Sequence, residues 1–204
     1  MDRAAATFKS AKTSFVWDQY TEVVNATDEQ GGMMFIRKRP NGELQMAADI
    51  TLPRDAPKYV LYTGGKDAKV QLYQPKIEQV TQYAAGKNKE VFESFLVLGF
   101  GGSSSDLKKE FDIAYDGDET LGNGIRTIRL KLVSTRPNVR KMFNPIYLWI
   151  DPARGIAVQQ KFMQPDSGDY RLAKYSNIEL NTAIPDDVFR LKTTGKTKYV
   201  SPGL

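Results

Sequence analysis

From Gly32 to Tyr83 the chain runs through short stretches that alternate apolar and polar residues, and each stretch ends in turn chemistry. Met33-Met34-Phe35-Ile36 leads into Arg37-Lys38-Arg39 and stops at Pro40-Asn41-Gly42. Leu44 to Thr51 stops at Pro53, and Tyr59-Val60-Leu61-Tyr62 stops at Gly64-Gly65-Lys66. Val70-Gln71-Leu72-Tyr73 stops at Gln74-Pro75, and Ile77 to Tyr83 follows. Period-two runs separated by Gly, Pro, Asn and Asp predict the strands of an antiparallel meander. Such a sheet has an apolar face, which must meet another sheet, a helix or a ligand.

A chain of 204 residues with 41% hydrophobic residues is long and apolar enough for one domain with a sizeable core, and a single domain over residues 1–204 is expected. The same composition suffices for a core with a cavity in it. The sequence has neither cysteine nor histidine. A disulfide framework, a thiolate metal site and a lipidated cysteine in this stretch of chain are therefore excluded. So is any Ser-His-Asp or Cys-His nucleophilic site. No cofactor and no metal are expected, and the chain does not read as an enzyme. A net charge of +5 and a pI near 9.2 favour anionic partners. The charges are scattered and no nucleic-acid-binding module is recognisable, so nucleic acid is not an expected partner. No run reaches the 18 apolar residues of a membrane span. Met1-Asp2-Arg3 opens no signal peptide, which is compatible with a start that follows a removed one.

Ala4, Ala5, Phe8 and Ala11 share one face at helical spacing and predict a helix from Asp2 to roughly Lys12. Phe15 to Thr27 is rich in β-branched and aromatic residues and predicts a strand, with a turn over Asp28-Glu29-Gln30-Gly31-Gly32. Beyond the meander, Asn88 is a plausible N-cap for an apolar stripe of Val91, Phe92, Phe95, Leu96 and Leu98. Gly99 to Ser105 reads as a flexible Gly/Ser stretch. A short helix from Asp106 to Glu110 follows, capped by a serine. Strands are expected at Phe111–Asp116, Ile125–Ser134, Ile146–Ile150, Ile156–Met163 and Tyr170–Thr182, with a loop or helical turn from Arg136 to Phe143. The segment after Phe189 reads as a short basic tail without a further strand. The fold class is α+β, mainly β: an incomplete antiparallel barrel, a curved sheet of about ten or eleven strands with helices over its concave side.

Several of these features, in this order, resemble the outer-membrane lipoprotein carrier (LolA) family over nearly the whole chain. An N-terminal helix feeds a strand, and a Gly-led strand ends in Lys38-Arg39-Pro40. Gly64-Gly65-Lys66 precedes Leu72-Tyr73-Gln74-Pro75, with Gln79-Val80 downstream. An aliphatic strand ends at Asp151 and a Gly155 turn, and Asn177-Ile178-Glu179-Leu180-Asn181 with Ile184-Pro185-Asp186-Asp187-Val188-Phe189 closes the chain. The resemblance implies helices as a lid over an apolar cavity that carries the acyl chains of lipoproteins through the periplasm. Its implied partners are acylated lipoproteins or other lipids, an inner-membrane ABC-type transporter complex and an outer-membrane acceptor, with the carrier a monomer. It also implies that Arg39 points inward and bonds to the lid backbone. The chain departs from the family in its three basic residues before Pro40 and in the Gly/Ser-rich stretch after the lid-like segment.

Each candidate has a plainer alternative. Arg39 is either that latch or a solvated arginine before a turn. Guanidinium, with five donors and a permanent charge, suits a latch onto orphan helix carbonyls. Trp17, Phe35, Leu61, Leu72, Val91, Phe92, Phe95, Leu96, Phe100, Leu130, Leu132 and Trp149 line an acyl cavity or pack as ordinary core. Gly99-x-Gly101-Gly102 lacks the Gly-Lys-Ser/Thr ending of a phosphate loop. Asp116, Asp118 and Glu119 read as a solvated loop rather than an acid/base or metal cluster. Two other functions fit the same fold: a lipid- or stress-sensing domain that binds acyl ligands without delivering them, and an enzyme that shapes an intermediate in its cavity.

Overall fold

The computed structural model describes residues 1–86, 93 and 98–202. Helix α1 (Asp2–Thr7) precedes strands β1 (Ser10–Thr21), β2 (Ala26–Lys38), β3 (Leu44–Leu52), β4 (Lys58–Thr63), β5 (Lys69–Gln74) and β6 (Gln79–Ala84). Helix α2 (Ser104–Glu110) is followed by β7 (Phe111–Thr120), β8 (Arg126–Ser134), helix α3 (Pro137–Met142), β9 (Ile146–Asp151), β10 (Ile156–Met163), β11 (Tyr170–Leu180) and β12 (Lys198–Val200). The protein is mainly β. Its twelve strands form one sheet in the order β12-β6-β5-β4-β3-β2-β1-β11-β10-β9-β8-β7. From β2 to β6, and again from β7 to β11, neighbours pair antiparallel. The order is linear, with β12 and β7 as edges, so the sheet does not close.

Three local expectations are corrected. The first helix ends at Thr7, because Phe8 turns extended and Ala11 and Thr13 are buried at alternate positions of a strand. The Thr13 hydroxyl donates to the Ser176 carbonyl at 2.8 Å, which ties that strand in place. The Gly31-Gly32 pair is not a turn. β2 runs through it with a register shift between the two glycines, and the turn lies at Glu22–Asn25, where the Asn25 N–H donates to Glu22 O at 2.9 Å. A Cβ on Gly32 would stand 1.9 Å from the Asp49 carbonyl oxygen, so glycine here serves a close approach of backbones. The basic tail holds the extra strand β12, parallel to β6 and three residues long. The serine-capped helix is as expected: Ser103 Oγ accepts from the Asp106 N–H at 3.1 Å.

Two compact units divide the chain. One comprises Met1–Phe8, Val16–Glu29 and Ser94–Tyr175; the other comprises Lys9–Phe15, Gln30–Glu93 and Ser176–Leu204. In the first, Leu98, Leu107, Phe111, Leu132, Ile146, Leu148, Ile150, Ala157 and Phe162 make the core. The stretch at 99–102 is packed rather than free there. Gly99 lies so close to β10 that a Cβ would stand 2.5 Å from Gln160 Nε2, and one on Gly101 would stand 2.8 Å from the Phe8 ring.

Candidate functional site

In the second unit, strand alternation sorts the side chains of β2 to β5 onto two faces of unlike character. One face carries the cross-strand rows Ile36–Met46–Tyr62–Val70 and Met34–Ala48–Val60–Leu72. These residues are apolar except for one phenol. Ile36, Met46, Ala48 and Tyr62 are buried, and Leu72 is half-buried. The phenol of Tyr62 donates to Glu93 Oε1 at 2.6 Å, so a residue of the mid-chain segment is bonded to this face. Burial, then the bond and charge of Glu93, push the Tyr62 phenol well above its ordinary value.

The opposite face carries Arg37–Gln45, Phe35–Ala47–Leu61–Gln71 and Asp49–Tyr59–Tyr73–Val80. The segment around the 3-10 turn Asp186–Phe189 lies on it, with Phe189, Ala47 and Leu61 buried together. Arg37 fastens that segment. Its Nε donates to Gln45 Oε1 at 2.8 Å, its Nη1 donates to Asp186 Oδ1 at 2.5 Å, and its guanidinium carbon lies 4.1 Å from the Phe189 ring centre. The bond to Arg37 holds the Asp186 carboxyl below its ordinary value. Tyr59 donates its hydroxyl to the Val188 carbonyl beside a groove of about 390 Å³. Phe35, Pro57, Tyr73 and Pro75 form its apolar wall, with Asp49, Lys58, Asp187, Arg190 and Lys192 around it.

In the first unit, Leu130 and Leu132 share a face with Leu148, Ile146 and Phe162. Trp149 pairs with Arg129 on the reverse face, where its Nε1 donates to Glu119 Oε2 at 2.8 Å. Arg129 pairs with Asp116 at 2.7 Å and with Glu119 at 3.0 Å. The expected carboxylate loop is thus part of strand β7, held by an arginine. Phe100 is buried with its ring 5.0 Å from that of Tyr175, edge to face.

The candidate cavity residues therefore divide. Leu72 belongs to the apolar face that Glu93 meets, whereas Phe35 and Leu61 belong to the reverse face under the C-terminal segment. Leu130 and Leu132 face one core, and Trp149 faces away from it. Trp17 is half-buried in β1. Val91, Phe92, Phe95 and Leu96 lie outside the described residues. Arg39 is half-exposed in the β2–β3 turn, its guanidinium 3.7 Å from Glu43, so its ion pair stays within the turn. The arginine of the basic triplet that bonds to another segment is Arg37, two residues earlier and within β2. Sequence reasoning missed Tyr62, whose signal was a polar atom in an otherwise apolar alternating row.

No family model matches the sequence, and no curated protein matches it either. Solved structures of the same fold do. An uncharacterized conserved protein from Thermus thermophilus is 11% identical, covering 98% of this chain and 95% of its own, with a TM-score of 0.59. A DUF1329 family protein from Desulfovibrio piger is 14% identical over 91% of both chains, with a TM-score of 0.52. MucB, in the Pseudomonas aeruginosa MucA/MucB complex, is 12% identical over 90% of this chain with a TM-score of 0.52, and this chain spans 56% of that one. A LolA superfamily protein from Nitrosomonas europaea matches more loosely, at 12% identity, 93% and 94% coverage and a TM-score of 0.41. At these identities the likeness to the first three is one of fold.

Proposed function

We propose that this protein is a periplasmic carrier of acyl chains. On this reading it takes the chains of lipoproteins from an inner-membrane ABC-type transporter complex and hands them to an outer-membrane acceptor. The ligand would lie against the apolar face of Ile36, Met46, Val60 and Leu72, where Glu93 is bonded. The observation that supports this most is the Tyr62–Glu93 hydrogen bond, which fastens a residue of the mid-chain segment to the apolar face. A polar tie on a broad apolar surface suits a contact that must open to admit a ligand. Core packing alone has no need of a buried phenol. The order of motifs from Lys38-Arg39-Pro40 to Ile184-Pro185-Asp186 supports the same reading.

Magnitudes set a condition on release. Acyl burial contributes roughly 0.8 kcal/mol per CH₂, so a single 16-carbon chain carries on the order of 12 kcal/mol. A carrier of several chains must bury them incompletely, or spend part of that energy on opening that contact. The test is a titration with a fluorescent triacylated peptide beside the same peptide without acyl chains. Saturable binding of the acylated form alone is expected. Binding of neither form by folded protein overturns the carrier reading.

The second reading is a domain that binds acyl ligands and signals rather than delivers. MucB, which shares the fold, has been solved bound to a protein, MucA. A transfer assay separates the two: a carrier gives its acylated peptide to acceptor membranes faster than the peptide leaves spontaneously, and a sensor does not.

A further inference from the structure

The first unit has a charged residue at the end of an apolar row. Across β7, β8, β9, β10 and β11 one row reads Ile113, Leu132, Ile146, Phe162, Arg171. Alternation would place an aliphatic side chain at the last position. The guanidinium carbon of Arg171 instead lies 5.4 Å from the Phe143 ring centre, and Phe143 packs edge to face on Phe162 at 5.3 Å. Arg171 Nε is buried and donates to nothing, and no carboxylate of a described residue pairs with this arginine.

A second orphan follows the Phe143 that Arg171 faces. Asn144 follows Phe143 in the chain, and its backbone N–H donates to Met163 O at 2.8 Å, one residue from the strand partner of Arg171. Asn144 Oδ1 is buried without a partner. These two atoms are the only buried, unpartnered side-chain polar atoms among the described residues. A buried donor left unmade is costly, and a cation on an apolar face without a counter-charge more so. A half-turn of the carboxamide exchanges its oxygen for the two Nδ2 donors, which makes Asn144 a donor like Arg171.

We propose that Arg171 and Asn144 hold the oxyanion, phosphate or carboxylate, of an amphiphilic ligand. The guanidinium offers a planar pair of donors matched to such a group, and the partly buried Phe143 ring, which the guanidinium faces, is the apolar surface offered to the stem. This assignment does not rest on the carrier reading: it concerns different residues and a different chemical group.

Calorimetric titration of the full chain with dodecyl phosphate, 1-dodecanol and inorganic phosphate tests it. Dodecyl phosphate is expected to bind at least tenfold more tightly than either comparator. In Arg171→Met the preference over dodecanol falls to about one, and in Arg171→Lys, which keeps charge but loses the fork, it is intermediate. Because Met relieves a buried orphan, its ligand-free melting temperature is expected to hold or rise, which separates lost binding from lost fold. Equal affinity for dodecyl phosphate and dodecanol, or full affinity retained in Arg171→Met, overturns the proposal. Inorganic phosphate binding as tightly as dodecyl phosphate overturns the amphiphile. Failure of the triacylated peptide to bind, with dodecyl phosphate still bound through Arg171, removes the carrier reading alone.

Discussion

Tyr62 is the residue on which stability and the proposed site meet. Its side chain is fully buried and its phenol is bonded to a carboxylate. The folded phenol titrates above the ordinary tyrosine value, so between the two values the folded chain keeps a proton that the unfolded chain has lost. Its contribution is therefore complete below about pH 10, and it falls by about 1.4 kcal/mol per pH unit above that. Tyr62→Phe should cost about 2 kcal/mol at pH 7 and show a shallower alkaline loss. Urea titrations at pH 7 and pH 11 measure both, and parallel pH dependences in the two proteins would contradict the assignment. Gly32 gives a second prediction at this scale. A methyl group there meets backbone at 1.9 Å, not a side chain that can swing away. Gly32→Ala should destabilise by about 3 kcal/mol or more, read as a drop in the urea midpoint at unchanged slope. An unchanged midpoint would mean that the β2–β3 bulge relaxes freely.

At the scale of elements, Arg37 and Arg39 look alike in sequence and differ in what they hold. Arg37 joins β2 to the 3-10 turn through one hydrogen bond to Asp186 and a stacked Phe189 ring, and to β3 through a second bond to Gln45, with its side chain 22% exposed. Arg39 is 46% exposed and meets a carboxylate four residues away in its own turn. Arg37→Met should cost about 1–2 kcal/mol and speed hydrogen exchange across 184–191, whereas Arg39→Met should stay within about 0.5 kcal/mol. The reverse ranking would restore Arg39 as the structural arginine. Most of the meander was legible because period two and turn residues are local signals. The misjudged segments were set by contacts distant in sequence: Gly31-Gly32 reads as a turn until Asp49 is beside it. The Gly99–Gly102 stretch reads as a hinge until Gln160 and Phe8 press on it. β12 was invisible because three exposed residues have no pattern of their own and pair only because β6 offers an edge.

Over the whole molecule, the architecture was legible and the site was not, because a fold tolerates loss of register and a site does not. Moving one position along a strand moves a side chain to the other face, and so Leu72 parts from Leu61, and Trp149 from Leu130. The face assignment makes the carrier reading testable through stability. A ligand that binds only the folded chain adds about 2.7 kcal/mol at a free concentration one hundred times its Kd. For a domain of this size that raises Tm by about 5–10 °C. Triacylated peptide should produce this shift and its deacylated form none. Leu72→Gln, which puts an amide on the apolar face near Tyr62, should lose most of the shift. Trp149→Phe, on a reverse face of the other unit, should keep it even though its own Tm falls with the loss of the bond to Glu119. Equal shifts in Leu72→Gln and wild type would place the acyl chains elsewhere, with the row ending at Arg171 as the next face to probe.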